Sequence, residues 1–275
     1  MSISRPSIAE SIEHHTGTWP ALAGRLEELA AKGAESGSQL DLDNRAAAVG
    51  TSSKAIAAYI LNRASNAARF VRELHRMVIE QEPGRLSLNY TALHPLLRGA
   101  LEDGTALIAL LKPAEQSERL TRALRSLFAD GNYLVGNHLL LAQALSSEVE
   151  MPAGLAEAVS THMSEEQDAM VEEFKATAAA LALNYTLIAR SVSNKTLLTE
   201  AFGPDSQTYA IWKVLSDLSH FSFAMNKHLS SYQADHDTTL ENVVLVVFIS
   251  EVNKTLFTAA NLLEAAVSGP GAAEA

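Results

Sequence analysis

A chain of 275 residues, 47% hydrophobic and 19% charged, holds enough apolar side chains for one large core or two smaller ones and excludes a disordered or fibrous class. Cysteine is absent, which removes a disulfide framework, a thiol nucleophile and a thiolate metal site, and suits a reducing cytoplasm. The 21 Lys and Arg against 32 Asp and Glu leave a net charge of −11, which repels a phosphate backbone wherever it is not locally reversed and so disfavours broad nucleic-acid binding.

In chain order, residues 1–16 lack a continuous apolar stretch after a basic start and read as a flexible N-terminus rather than a secretory signal. A first helix starts at Pro20, a favourable first-turn proline, and runs through Leu22, Leu26 and Leu29 to Gly33; residues 33–44 read as a loop. A second, long helix over 53–80 carries the seam Ile60, Ala64, Ala67, Val71, Leu74 and Val78, ended by Pro83-Gly84. The third covers 91–111 with Pro95 in its first turn. The fourth covers 115–146 with Leu120, Leu124, Leu127, Leu134 and Leu141, weakened at Gly131 and Gly136. Ser164 and Gln167 have capping-box spacing for a fifth helix reaching Ala182, and a short segment Lys195 to Phe202 precedes the break at Gly203-Pro204. A seventh helix over 206–229 presents Ile211, Leu215 and Leu218, and the last opens on Thr238 and Glu241 and continues to Ala266.

The Val243 to Ile249 run is strand-like in isolation, yet the apolar pattern continues far past strand length, and strand alternation does not recur elsewhere. The expectation is therefore an all-α multi-helix bundle of about eight helices with no regular sheet. One domain would span 17–267, with helices one and two either part of it or an N-terminal arm, and 268–275 would form a flexible tail. No apolar run is long enough to span a bilayer: Val243 to Ile249 is too short, and Leu96 to Leu111 is interrupted by Arg98, Glu102 and Asp103.

Chemistry-bearing patterns are sparse. A ferritin-like metal site needs paired Glu-x-x-His motifs, and the nearest match is a single Asp217-x-x-His220, so no metal and no cofactor are expected. No phosphate loop, nucleophile elbow or zinc-protease motif is present. His94, Arg98 and Glu102 fall at successive spacings of four beside Leu93, Leu97 and Leu101. On the seventh helix Trp212, Ser216, His220 and Phe223 share another ridge. Arg98, Glu102, Ser216 and His220 are thus expected to form one interior polar cluster, a binding site or a structural network, because charges placed beside a core seam need partners.

The stretches LLRGALEDGTALIALLKPAEQSERLTRALR and YAIWKVLSDLSHFS resemble a group of uncharacterised actinobacterial helical proteins that are similar to HEPN-like bundles. The matching positions are Arg98, Glu102, Arg119, Arg122, Tyr209, Leu215, Ser216 and His220. The resemblance implies a helical bundle with a polar centre. HEPN ribonucleases are marked by an Arg four to six residues before a His, and Arg69 and His75 satisfy that spacing. On a straight helix, however, they point about 120° apart and would converge only through side-chain reach or across a dimer. The leading expectation is a non-enzymatic interaction protein, self-associating as a homo-oligomer or binding a protein partner through the helix around Ile60 to Val78. The alternative is an HEPN-like RNA-acting protein of a toxin–antitoxin or defence system, a metal-independent ribonuclease using Arg69 and His75.

Overall fold

Ala- and Leu-rich segments with apolar residues three and four apart bury one stripe per helix, and the stripes need neighbours. In the computed structural model, which describes residues 8–48, 55–79, 90–148, 154–220, 233–235 and 238–269, they form an all-α architecture. The helices are α1 (Ile8–Thr16), α2 (Trp19–Lys32), α3 (Gln39–Ala47), α4 (Ala55–Ile79), α5 (Tyr90–Leu111), α6 (Gln116–Glu148), α7 (Leu155–Ala180), α8 (Tyr185–Ile188), α9 (Asn194–Phe202), α10 (Gln207–Ser219) and α11 (Leu240–Val267). Val243 to Ile249 lies inside α11. The extended pairing among the described residues is a short antiparallel ribbon, Gln233–Asp235 with Thr238–Thr239, leading into that helix. Where the sequence predicts one domain over 17–267, the chain divides into two interleaved compact units: Met1–Ser38, Ile60–Lys112 and Asn194–Ala275 form the first, and Gln39–Tyr59 with Pro113–Ser193 the second.

In the first unit, α11 is the core helix, packed on α5, α1 and α2. Gly104 of α5 lets it come close, since a Cβ there would lie 2.8 Å from Leu256 Cδ2 and 3.1 Å from Thr255 Cγ2. By length and composition α11 would suffice to cross a bilayer, yet Leu245, Ile249, Val252, Leu256 and Leu263 are buried in this core. Residues 8–16, expected to be flexible, are helical because Ile12 is buried and Asn253 of α11 ties the α1–α2 corner. Its Oδ1 accepts from Trp19 Nε1 at 2.6 Å while its Nδ2 donates to the His15 carbonyl at 2.7 Å. The apolar stripe of α2, with Leu22, Leu26 and Leu29, is buried. The tail is tied at its first residues, where the Gly269 N–H donates to Glu35 at 2.8 Å. Residues 270–275 lie outside the described residues.

The second unit is built on α6 and α7, with α8 against both and α3 against α6. Gly131, expected to weaken α6, instead makes room for α7, since a Cβ there would lie 2.3 Å from Met170 Sδ. Phe128 meets Phe174 edge-on at 5.2 Å and Tyr185 at 6.1 Å. Helix α7 begins at Leu155 behind Gly154, whose φ of 86° suits glycine, so Ser164 and Gln167 sit within the helix rather than capping it. Helix α3 occupies sequence expected to be loop. Asp43 faces the interior and accepts from Arg119 of α6 in a bidentate pair, Nε to Oδ2 at 2.7 Å and Nη2 to Oδ1 at 2.9 Å.

Candidate functional site

Three successive turns of α5 carry His94, Arg98 and Glu102, the polar residues that the sequence singles out. Arg98 and Glu102, one turn apart, pair at 2.8 Å through Arg98 Nε. Ser206 opens α10 by accepting from the Tyr209 N–H, and the helix runs to the closing His220, projecting Trp212 and His220 toward α5. Trp212 Nε1 donates to the same Glu102 oxygen at 2.8 Å. Arg98 Nη1 lies 3.1 Å from His220 Nε2, a bond that needs that ring nitrogen unprotonated and the imidazole proton on Nδ1. The expected cluster is thus formed by Arg98, Glu102 and His220, with Trp212 added.

Its setting differs from the expectation. The Arg98 and Glu102 side chains are 22% and 18% exposed, and His220 is exposed, so the cluster is a rim clamp between α5 and α10 rather than an interior network. A residue at the last turn of a helix faces water on one side, which sequence spacing does not reveal. Among the described contacts Ser216 enters through its backbone carbonyl, which accepts the His220 N–H at 3.1 Å. Phe223 lies outside the described residues.

The buried titratable groups of α5 are His94 and Asp103. His94 is 2% exposed, edge-on to Phe248 at 6.1 Å, and burial lowers its pKa to about 4. Asp103, read from sequence only as an interruption of an apolar run, is buried against Arg63 at 3.0 Å. Burial raises its pKa to about 6 despite that guanidinium. A three-residue cluster of His, Asp or Glu able to hold a metal is absent among the described residues.

Arg69 and His75 do not share a site. Arg69 donates to Asn66 at 2.8 Å on its own helix, and Phe70 beside it rests on Gly99 of α5. His75 instead lines a cavity of about 270 Å³ with Trp19, Pro20, Arg72 and Arg76. Arg72 is paired with Glu27 and Arg76 with Glu73, so carboxylates already answer the guanidinium groups that a phosphate backbone would need. The seam Ile60, Ala64, Ala67, Val71, Leu74 and Val78 is buried within the chain. The exposed face of the helix around Ile60 to Val78 carries Arg69, Arg72, Glu73 and Arg76.

Exposed large apolar side chains gather instead on α6, at Tyr133, Leu134, Leu140 and Leu141, which are 73%, 57%, 65% and 55% exposed. The opposite side of that helix, with Phe128, Val135 and Ala142, is buried. No protein-family profile, curated protein or solved structure matches this chain. The α6 face is the feature that a water-exposed helix does not otherwise need.

The rim clamp carries its own expectation. Glu102→Ala removes one carboxylate from two donors at a half-buried site, so stability should fall by about 1–2 kcal/mol, between the values for surface and fully buried ion pairs. Thermal melting followed by Trp emission checks it. A variant melting with the parent would reduce the cluster to a solvated ion pair.

Proposed function

We propose that this chain is a non-enzymatic association protein that engages a protein partner through the exposed face of α6 between Tyr133 and Leu141. What carries the reading is that face. Four large apolar side chains stand more than half exposed on one helix, enough apolar area to mark a contact surface rather than scattered surface hydrophobes. Asp, Glu, Lys and Arg are absent from Gly131 to Ser147, although charges stud the helices elsewhere. Charge depletion around aromatic and aliphatic groups is the composition of an interface centre. The expectation of a partner-binding helix is kept and moved from the second predicted helix to the fourth, and the absence of cysteine supports a cytoplasmic setting.

A photo-reactive residue in place of Leu140, with the full chain expressed in cells, tests the reading. Covalent protein adducts are expected at Leu140 and not at the exposed Glu165 of α7. Equal labelling at the two positions would overturn it.

The alternative, an RNA-acting protein, draws support from the cavity beside His75 with two arginines on its lining. The neutralised arginines and the divergent Arg69 weigh against it. Purified protein is expected to leave RNA intact. RNA cleavage lost in Arg69→Ala would instead establish the nuclease reading.

A further inference from the structure

Counted from Asn137, the exposed apolar residues of α6 fall at −4 (Tyr133), −3 (Leu134), +3 (Leu140) and +4 (Leu141), with all four and Asn137 itself solvent-exposed. Steps of three and four keep them on one stripe of the helix. The stripe reads alike in both directions, because large apolar groups sit symmetrically about a small polar residue. A two-fold interface requires this self-complementarity, since in an isologous contact residue i meets j while j meets i.

We propose that two copies of this chain pair antiparallel through α6, with the two-fold axis at Asn137. The proposal rests on the reading of the α6 face as a protein-association surface and names its occupant. Tyr133 then packs on Leu141 of the second copy, Leu134 on Leu140, and Asn137 meets Asn137. Charge permits this occupant at this place. Two copies that each carry −11 repel generally, and the stretch from Gly131 to Ser147 offers a surface free of Asp and Glu on which they can approach. A lipid surface fits less well, because amphipathic membrane helices flank their apolar face with Lys and Arg, and this stretch has neither.

Area agrees with a modest dimer. The four side chains expose on the order of 400–500 Å² per copy, over half of the roughly 800 Å² per partner of a standard interface.

The absence of cysteine makes the test direct. Asn137→Cys places one thiol on the proposed axis, within reach of its own copy. Ala144→Cys places it seven residues away, so that in antiparallel pairing the two thiols stand about 21 Å apart at 1.5 Å per residue. Under mild oxidation of the full chain, Asn137→Cys is expected to link into dimers, Ala144→Cys alone to stay unlinked, and a mixture of Asp130→Cys and Ala144→Cys copies to link to each other. Sedimentation of the unsubstituted chain should give twice 29.5 kDa, and Leu134→Asp with Leu140→Asp should weaken the dimer about 100-fold or more. Circular dichroism of that double variant establishes that it remains helical.

Self-linking of Ala144→Cys as readily as Asn137→Cys would overturn the antiparallel arrangement. A monomeric parent with an unlinked Asn137→Cys would overturn the second copy as occupant. In that case Leu140 adducts to a different protein would leave the association reading standing, whereas the absence of adducts would remove both.

Discussion

Replacing Asp43 by Ala is expected to cost about 3–5 kcal/mol of stability. The carboxylate is 6% exposed and the Arg119 side chain 10%, so the pair lies away from water. Arg119 Nη1 also donates to the carbonyls of Pro113 and Ala114, at 3.1 and 2.6 Å, while Gln116 donates to Asp43 at 3.1 Å. Without Asp43 the guanidinium keeps its neutral acceptors and loses its counter-charge, and a buried charge left so is strained far more than an absent pair. Asp43→Ala combined with Arg119→Met should therefore recover most of the loss. Urea unfolding of the three variants measures both effects. A single-variant loss under about 1 kcal/mol would show that water reaches the pair.

Acidification should expose two opposed groups on α5. His94 titrates near 4 instead of 6.5, so the unfolded chain takes up its proton first as pH falls, and stability is lost between pH 6.5 and 4. Asp103 titrates near 6 instead of 3.8, so the folded chain protonates first, and stability is gained as pH falls from 6 to 3.8. Each shift of two units or slightly more corresponds to about 3 kcal/mol, and in the parent the two nearly cancel. Relative to the parent, Asp103→Asn should lose about 3 kcal/mol between pH 6.5 and 4, and His94→Gln should gain a similar amount over the same interval. Chemical denaturation across that range tests the pair. Differences from the parent that do not change with pH would show that neither group is shielded as its burial implies.

These outcomes depend on contacts of different legibility. The α2, α5 and α6 spans are readable because Pro20, Gly33 and Pro113 mark helix ends with backbone chemistry that acts locally. Helix α3 is not readable, because its sequence, QLDLDNRAA, is polar and one of its anchors is Arg119, 76 positions away. Helix α1 is hidden for the same reason, its last turn being fixed by Asn253. Within the candidate site, Arg98 and Glu102 follow from a spacing of four and His220 from its place beside the apolar seam of its helix, whereas the bond from Trp212 to Glu102 is a tertiary contact that no local pattern encodes. The seam of α4 is plain in the sequence, but periodicity says only that a face is covered, not whether the same chain covers it. The α6 face misleads in the opposite sense, since Leu134 and Leu141 read as core and stand exposed.

The interleaving of the two units sets an order of events at the ribosome. The second unit is complete in sequence at Ser193, whereas the first awaits residues 194–269, including the helix that fills its core. During synthesis α1, α2 and α5 emerge long before α11, so their apolar stripes remain uncovered while the second unit can already close. The Trp19–Asn253 bond, spanning 234 positions, can form only after the second unit has emerged in full. Such late, long-range closure slows folding and prolongs the exposure of aggregation-prone surface. Nascent chains stalled before residue 240 should therefore hold a folded second unit beside an unfinished first one, the stage at which a chaperone has most to bind.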